Sequence, residues 1–109
     1  MSVTFTLGQV DCSDPSMVRV HMMENDGQIN MAEGNAAVVS RLVGLDEFNH
    51  DGYVVGKTNL KKIADNCRSI KSRYESDTSD TAGYIISRAE AIELLCEEAI
   101  ATEVGLVWG

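Results

Sequence analysis

Hydrophobic and polar residues alternate in the first part of the chain, a pattern typical of β-strands that bury one face. Residues 3–7 alternate in this way, and residues 18–22 repeat the alternation after a turn-rich break over residues 11–16. Because two consecutive strands joined by a short turn commonly pair with each other, we expect an antiparallel hairpin here.

Farther along the chain, apolar residues recur every three to four positions, which predicts amphipathic helices. The first helix covers residues 32–42, and Gly44 stands where a C′ glycine would end it, with Leu45 making the accompanying apolar contact. The second helix runs from about residue 58 to 75, with Thr58 as its N-cap. Each has one apolar stripe, so each is expected to bury one face and expose the other.

The third predicted helix covers residues 86–103. Ser87 and Glu90 would form a capping box at its start, unless the helix begins earlier, near Ala82. The apolar residues 106–108 that follow predict a short strand, which can join the N-terminal hairpin.

This order of elements predicts an α+β fold, in which a small antiparallel sheet packs against three helices. The sheet consists of the N-terminal hairpin, which the C-terminal strand would extend. A chain of 109 residues has the length of one domain, and its 44% hydrophobic and 24% charged residues are ordinary for a globular protein. We therefore expect a single domain over residues 1–109.

Charge is unevenly distributed along the chain. Residues 57–73 hold six of the nine basic residues and one acid, a net charge of +5, whereas the whole chain carries −8 and the remainder −13. The basic surface of the second helix consists of Lys61, Lys62, Arg68, Lys71 and Arg73. The acidic surface of the third helix consists of Glu90, Glu93, Glu97 and Glu98. Either surface can attract a partner of opposite charge.

Both charged surfaces also have a purely structural interpretation. Charged residues keep the outer faces of amphipathic helices hydrated, and opposite charges that flank a helix pair can lie alongside each other. The acidic average of the chain and the lack of aromatic residues among the basic ones weigh against nucleic-acid binding.

The sequence predicts no enzyme, no cofactor and no metal site. Its three cysteines, Cys12, Cys67 and Cys96, lie far apart without metal-ligand spacing, so we expect reduced thiols. Residues 52–58 are similar to a phosphate-binding P-loop, but three residues instead of four separate the first glycine from Gly-Lys-Thr.

The other candidate groups for chemistry give no recognisable site. The pair His50-Asp51 lacks further ligands at metal spacing, and pairing of Cys12 with His21 has no local sign of an activated nucleophile.

Targeting signals are also missing from the pattern. The first residues lack a positively charged region followed by an apolar run, and no stretch has the apolar length that spans a bilayer. By elimination we expect a cytoplasmic protein without membrane association.

Three short segments of the chain form a recognisable pattern. Residues 30–36 (NMAEGNA) lead into residues 42–45 (LVGL), and the chain ends with GLVWG over residues 105–109. With these segments the chain resembles a group of small uncharacterised bacterial and phage proteins. In that group an Asn-rich cap precedes a short helix ending in Leu-Gly-Leu, and a terminal helix runs into a closing Trp-Gly. Glu33-Gly34 departs from the pattern, where a further Asn-Ala is usual. The resemblance implies a small α+β domain of bacterial or phage origin and no particular function.

These observations favour a non-catalytic protein-interaction module. Its specific form is an acidic inhibitor, immunity protein or phage-encoded antagonist that uses the acidic surface to occlude a basic groove on its target. The alternative is a nucleic-acid-associated protein that uses the basic helix, residues 57–73. The sequence leaves open a monomer or a homodimer, because Trp108 can either close the core or pair subunits.

Overall fold

A computed structural model describes residues 2–14, 16–23, 27–45 and 52–109, and in these it contains one antiparallel sheet packed against helices. The strands are β1 (Ser2–Asp11), β2 (Arg19–Met22), β3 (Ile29–Ala32), β4 (Gly52–Val54) and β5 (Gly105–Trp108). The helices are α1 (Glu33–Leu42), α2 (Lys57–Tyr74) and α3 (Asp80–Thr102). The predicted α+β class is confirmed.

The long strand β1 organises the sheet, whose order is β2-β1-β5-β4. One edge of β1 pairs with β5, and the other edge pairs first with β3 and then with β2. β3 pairs with residues 2–5 of β1 and β2 with residues 8–11, so Thr6 lies between the two paired stretches. Its hydroxyl donates a 2.7 Å hydrogen bond to the carbonyl of Met23. The hairpin of β1 and β2 and the terminal strand were predicted, whereas β3 was not.

Alternation along β1 directs Val3, Phe5 and Leu7 to the face that the helices cover, and all three side chains are buried. Leu106 and Trp108 extend this buried layer onto β5, where the rings of Phe5 and Trp108 stack 5.5 Å apart. The apolar layer of the sheet therefore ends near Leu7, although β1 continues to Asp11.

The helices α2 and α3 are joined by a short connection, residues 75–79, and pack extensively on each other. The buried stripe of α2 is Leu60, Ile63, Ala64, Cys67 and Ile70. The buried residues of α3 are Ala82, Ile85, Ala89, Ile92, Leu95, Cys96 and Ala99. These positions follow the helical period, so the sequence pattern identified both buried faces.

The end of α1 is as predicted. Gly44 has φ +94°, a conformation that suits glycine, and the amide of Leu45 donates a 2.8 Å hydrogen bond to the carbonyl of Ser40. Leu45 is buried and makes the apolar contact that accompanies this kind of helix end.

Two predicted helix caps were wrong, although α2 begins one residue before Thr58 and α3 begins two residues before Ala82, the earlier of its two predicted starts. Thr58 is not an N-cap, because α2 already begins at Lys57 after Gly56. The Ser87–Glu90 capping box does not form either, since α3 begins at Asp80 and Ser79 accepts a 3.2 Å hydrogen bond from the amide of Ala82. The local Ser-x-x-Glu pattern was outweighed by an earlier serine cap.

The close approach of Trp108 to Gly52 gives a test of the core. A Cβ atom at Gly52 would lie 2.5 Å from the Cζ2 atom of Trp108, whereas one at Gly83 in α3 would meet nothing within 4 Å. We expect Gly52→Ala to lower the free energy of unfolding by about 1–3 kcal/mol through overpacking. Gly83→Ala should raise it by about 0.5–1 kcal/mol through helix propensity. Urea unfolding followed by Trp108 fluorescence measures both changes. A free energy of unfolding for Gly52→Ala equal to that of the wild type would contradict this packing.

Candidate functional site

The predicted acidic and basic surfaces meet along the groove between α2 and α3. Arg68 lies at the centre, where its guanidinium is 2.8 Å from the carboxylate of Glu93 and 3.2 Å from that of Glu97. Asp65, one turn earlier on α2, also pairs with Arg68. Lys71 adds a 2.9 Å contact with Glu90. We call these six residues the charge seam.

The charge seam occupies most of the acidic surface. Three of its four predicted residues form ion pairs with α2. The fourth, Glu98, is exposed and forms no ion pair with any residue that the structure describes. A hydrogen bond with Glu90 raises the pKa of Lys71, so this lysine stays charged throughout the neutral range. The structural interpretation of the charged faces thus accounts for these contacts, and a binding role for them stays a prediction.

The rest of the basic surface is dispersed. Lys61, Lys62 and Arg73 are exposed and form no ion pair within the described parts of the chain. Lys62 and Arg73 stand eleven residues apart, about 16 Å along the helix axis. Without Arg68 and Lys71, the basic surface is therefore two separate groups of charge instead of one continuous strip.

A second candidate lies on the hairpin of β1 and β2. We call residues 17–22 the β2 segment. Seven large hydrophobic side chains are exposed among the residues that the structure describes. Four belong to the β2 segment, and these are Met17 (57% exposed), Val18 (39%), Val20 (44%) and Met22 (41%). The other three, Val38, Tyr53 and Leu94, lie on different elements, so the β2 segment is the main cluster of exposed apolar side chains.

The sequence pattern missed this exposure. Alternation over residues 18–22 predicts a strand with one buried face, and β2 does form, but all four of its residues are exposed. The reason is that β5 does not extend along β1 beyond Gly8, so the end of the hairpin lacks a neighbouring strand on that side, and an open groove separates it from α2 and α3. This exposure depends on the register of β5 on β1, which local alternation in the sequence does not contain.

An open groove of about 900 Å³ lies beside the β2 segment. It runs between the end of the hairpin, the beginning of α2 and the end of α3, and the P-loop-like residues 55–57 form part of its wall. Its charged and titratable lining consists of Asp11, Arg19, His21, Lys57 and Glu103. Hydrogen bonds from Ser13 lower the pKa of Asp11, which therefore stays ionised. The groove thus presents charges of both signs beside apolar residues.

The cysteines fall into two environments. Cys67 and Cys96 are buried in the α2–α3 interface, and desolvation by burial raises the pKa of each thiol to about 12. Cys12 is exposed at the end of β1. Because the thiolate is the reactive form, the two buried thiols are chemically inert at neutral pH.

The described residues bring together no group of three or more His, Cys, Asp or Glu side chains that could hold a metal ion. His50 and Asp51 lie outside this part of the chain. Among the helices that the structure describes, none has the length and apolar character needed to cross a bilayer.

Comparison with known proteins gives no relative. No family model matches the chain, and no curated protein or solved structure matches it. The resemblance to small bacterial and phage proteins therefore stays a prediction.

The charge seam leads to a prediction on stability. Arg68→Gln leaves Glu93 and Glu97 close together without their cation, so we expect a lower urea midpoint. The loss should shrink in about 1 M NaCl, because salt screens exposed charges. Lys62→Gln is the matched control on the same helix, and its midpoint should stay close to that of the wild type. Equal effects of the two substitutions at low salt would contradict the seam.

The cysteine environments lead to a second prediction. In the native protein at pH 8, a thiol-specific disulfide reagent should react rapidly with one thiol per chain, Cys12, and with all three thiols only after unfolding. Cys12→Ser should abolish the rapid phase. A rapid reaction of two or three thiols in the folded wild type would contradict the burial of Cys67 and Cys96.

Proposed function

We propose that this chain is a non-catalytic protein-interaction module that binds its partner through the β2 segment. The observation that carries the proposal is the clustering of Met17, Val18, Val20 and Met22 as exposed side chains on one projecting hairpin. Contiguous exposed apolar side chains mark protein interaction sites more often than scattered ones do. Their removal from water by a partner contributes about 25 cal/mol per Å² of apolar surface, which must exceed the entropy cost of association.

In this proposal the acidic surface has a supporting role. Glu90, Glu93 and Glu97 already have cationic partners within the chain, so a target would have to compete with Arg68 and Lys71 for them. The net charge of −8 still favours encounter with a basic target at long range. An inhibitor, immunity protein or phage-encoded antagonist is the specific form that we propose, with the projecting hairpin covering the target.

We also propose that the module is a cytoplasmic monomer when free. Trp108 stacks on Phe5 within its own chain and is only 6% exposed, so it is not available for pairing subunits.

Nucleic-acid association through α2 is the second candidate, favoured by the exposure of Lys61, Lys62 and Arg73. It is the weaker one because Arg68 and Lys71 lie in the charge seam. Binding to phosphates through the remaining cations would weaken steeply with added salt.

Affinity capture with matched variants tests the proposal. The β2 variant combines Val18→Ser, Val20→Thr and Met22→Ser, which keep strand-compatible side chains but remove apolar surface. The basic-surface variant combines Lys61→Gln, Lys62→Gln and Arg73→Gln, and Glu98→Lys probes the acidic surface. Each protein is immobilised in equal amount after circular dichroism confirms its fold, and bound proteins are quantified by mass spectrometry with and without nuclease.

We expect a protein that the wild type, the basic-surface variant and Glu98→Lys all retain, and that the β2 variant loses at least about tenfold, since 1.4 kcal/mol of lost contact has that effect. Equal retention by the β2 variant would reject the β2 segment as the site. Retention that disappears with nuclease and in the basic-surface variant would favour the nucleic-acid function instead.

A further inference from the structure

The outer edge of β2 carries no neighbouring strand among the described residues. In the part of the chain that the structure describes, β2 pairs with β1 and with no other strand. The amide of Met23 donates a 2.9 Å hydrogen bond to the carbonyl of Leu7, and the register continues from there with Met22 opposite Gly8. Hydrogen-bonded and non-hydrogen-bonded pairs alternate in an antiparallel ladder. The backbone N–H and C=O groups of Arg19 and His21 therefore form hydrogen bonds with β1, whereas those of Val20 and Met22 point outward.

Unpaired backbone groups of this kind recognise one backbone conformation. A row of outward N–H and C=O groups along an extended strand is matched by another extended segment, which adds to the sheet through main-chain hydrogen bonds. We propose that the partner binds by β-strand addition at the outer edge of β2, through an extended segment whose residues alternate between apolar and acidic. This inference rests on the proposed function and specifies how the β2 segment would bind.

The side chains of β2 define the alternation that the partner needs. Val20 and Met22 share the face of Val10 and Gly8, and both are more than 40% exposed. Arg19 and His21 point to the opposite face, beside the open groove. An added strand would place apolar residues next to the first pair and acidic residues next to the second, since directly neighbouring cross-strand side chains interact most strongly.

The other charges of the groove do not reverse this preference. Asp11 lies on β1 and Glu103 at the end of α3, whereas Arg19 and His21 lie on β2 itself. A strand added to the free edge is separated from β1 by β2, about 5 Å farther away per strand. The nearest charged neighbour of the added strand is therefore Arg19, whose cross-strand neighbour on β1 is Asp11.

A second copy of this chain fits the edge less well. Antiparallel pairing of two β2 strands with Val20 opposite its equivalent would place Arg19 of each copy opposite His21 of the other. Neither residue would then have an acidic cross-strand neighbour on the added strand. It would also bring together two chains of net charge −8. We therefore assign the edge to a segment of another protein.

The test uses a peptide probe and the intact chain. The probe has seven residues in which Glu and Val alternate, beginning and ending with Glu, and the control has the same composition in two blocks. Val20→Pro removes the outward N–H without removing a hydrogen bond to β1, because proline is tolerated where an edge N–H faces solvent. Val20→Thr is the matched variant, which keeps the N–H and the branched shape.

We expect the alternating peptide to bind and to slow hydrogen exchange at the amides of Val20 and Met22, which should exchange rapidly in the free protein. Val20→Pro should weaken binding at least about tenfold, whereas Val20→Thr should stay within about fivefold. The exchange measurement on the wild type remains decisive even if Val20→Pro is less stable than expected.

Three results would overturn strand addition. The two peptides could bind equally well, the alternating peptide could bind without protecting the amides of Val20 and Met22, or Val20→Pro could bind it as tightly as the wild type does. Concentration-dependent dimerisation of the free chain that Val20→Pro abolishes would assign the edge to a second copy and overturn the proposal as well. Full retention of the captured partner by Val20→Pro, with loss in the β2 variant, would reject strand addition and leave the proposed function intact.

Discussion

The pairing of β1 with β5 is the interaction on which the rest of the structure depends. It places the C-terminal strand between β1 and β4, and reciprocal hydrogen bonds between Thr4 and Gly109 (3.0 and 3.1 Å) continue the ladder to the end of the chain. The same pairing stacks Trp108 on Phe5 and connects α3 to the sheet. Because it does not extend along β1 beyond Gly8, it also determines where the sheet narrows to the hairpin of β1 and β2. Beyond that point the described residues form a two-stranded ribbon, a unit that has little stability of its own and in which neither outer edge is paired with another described strand.

Charge segregation in the sequence has mainly an internal explanation. Arg68 and Lys71 of α2 face Glu90, Glu93 and Glu97 of α3, so opposite charges line the contact between two adjacent helices. Exposed pairs of this kind orient helices more than they stabilise them. The strongest charge contrast in the sequence is therefore a weak indicator of a binding site. The exposure of residues 18–22, on which the proposed site rests, becomes visible only when the register of the neighbouring strands is known.

The sequence predicted the elements whose signals are periodic. The buried stripes of α2 and α3 follow from the helical period, and Gly44 marks the end of α1 because its positive φ suits glycine. The helix caps were predicted less well, since the Ser87–Glu90 pattern resembles a capping box although Ser79, without a following Glu, is the serine that caps α3. The strand β3 was missed because its alternation of buried and exposed residues spans only four positions, Ile29–Ala32, which is too short to identify a strand from sequence alone. The exposure of the β2 segment, which carries the proposed site, depends on register and could not be read from local alternation.

The central claim is that the unsupported end of the hairpin, and not the charge seam, is the surface that a partner covers. Hydrogen–deuterium exchange of the chain alone and in complex with its captured partner tests this most directly, because it compares all backbone segments in one experiment. The account predicts that protection on binding is concentrated in residues 17–22. Protection confined to the exposed faces of α2 and α3, with unchanged exchange in residues 17–22, would contradict it.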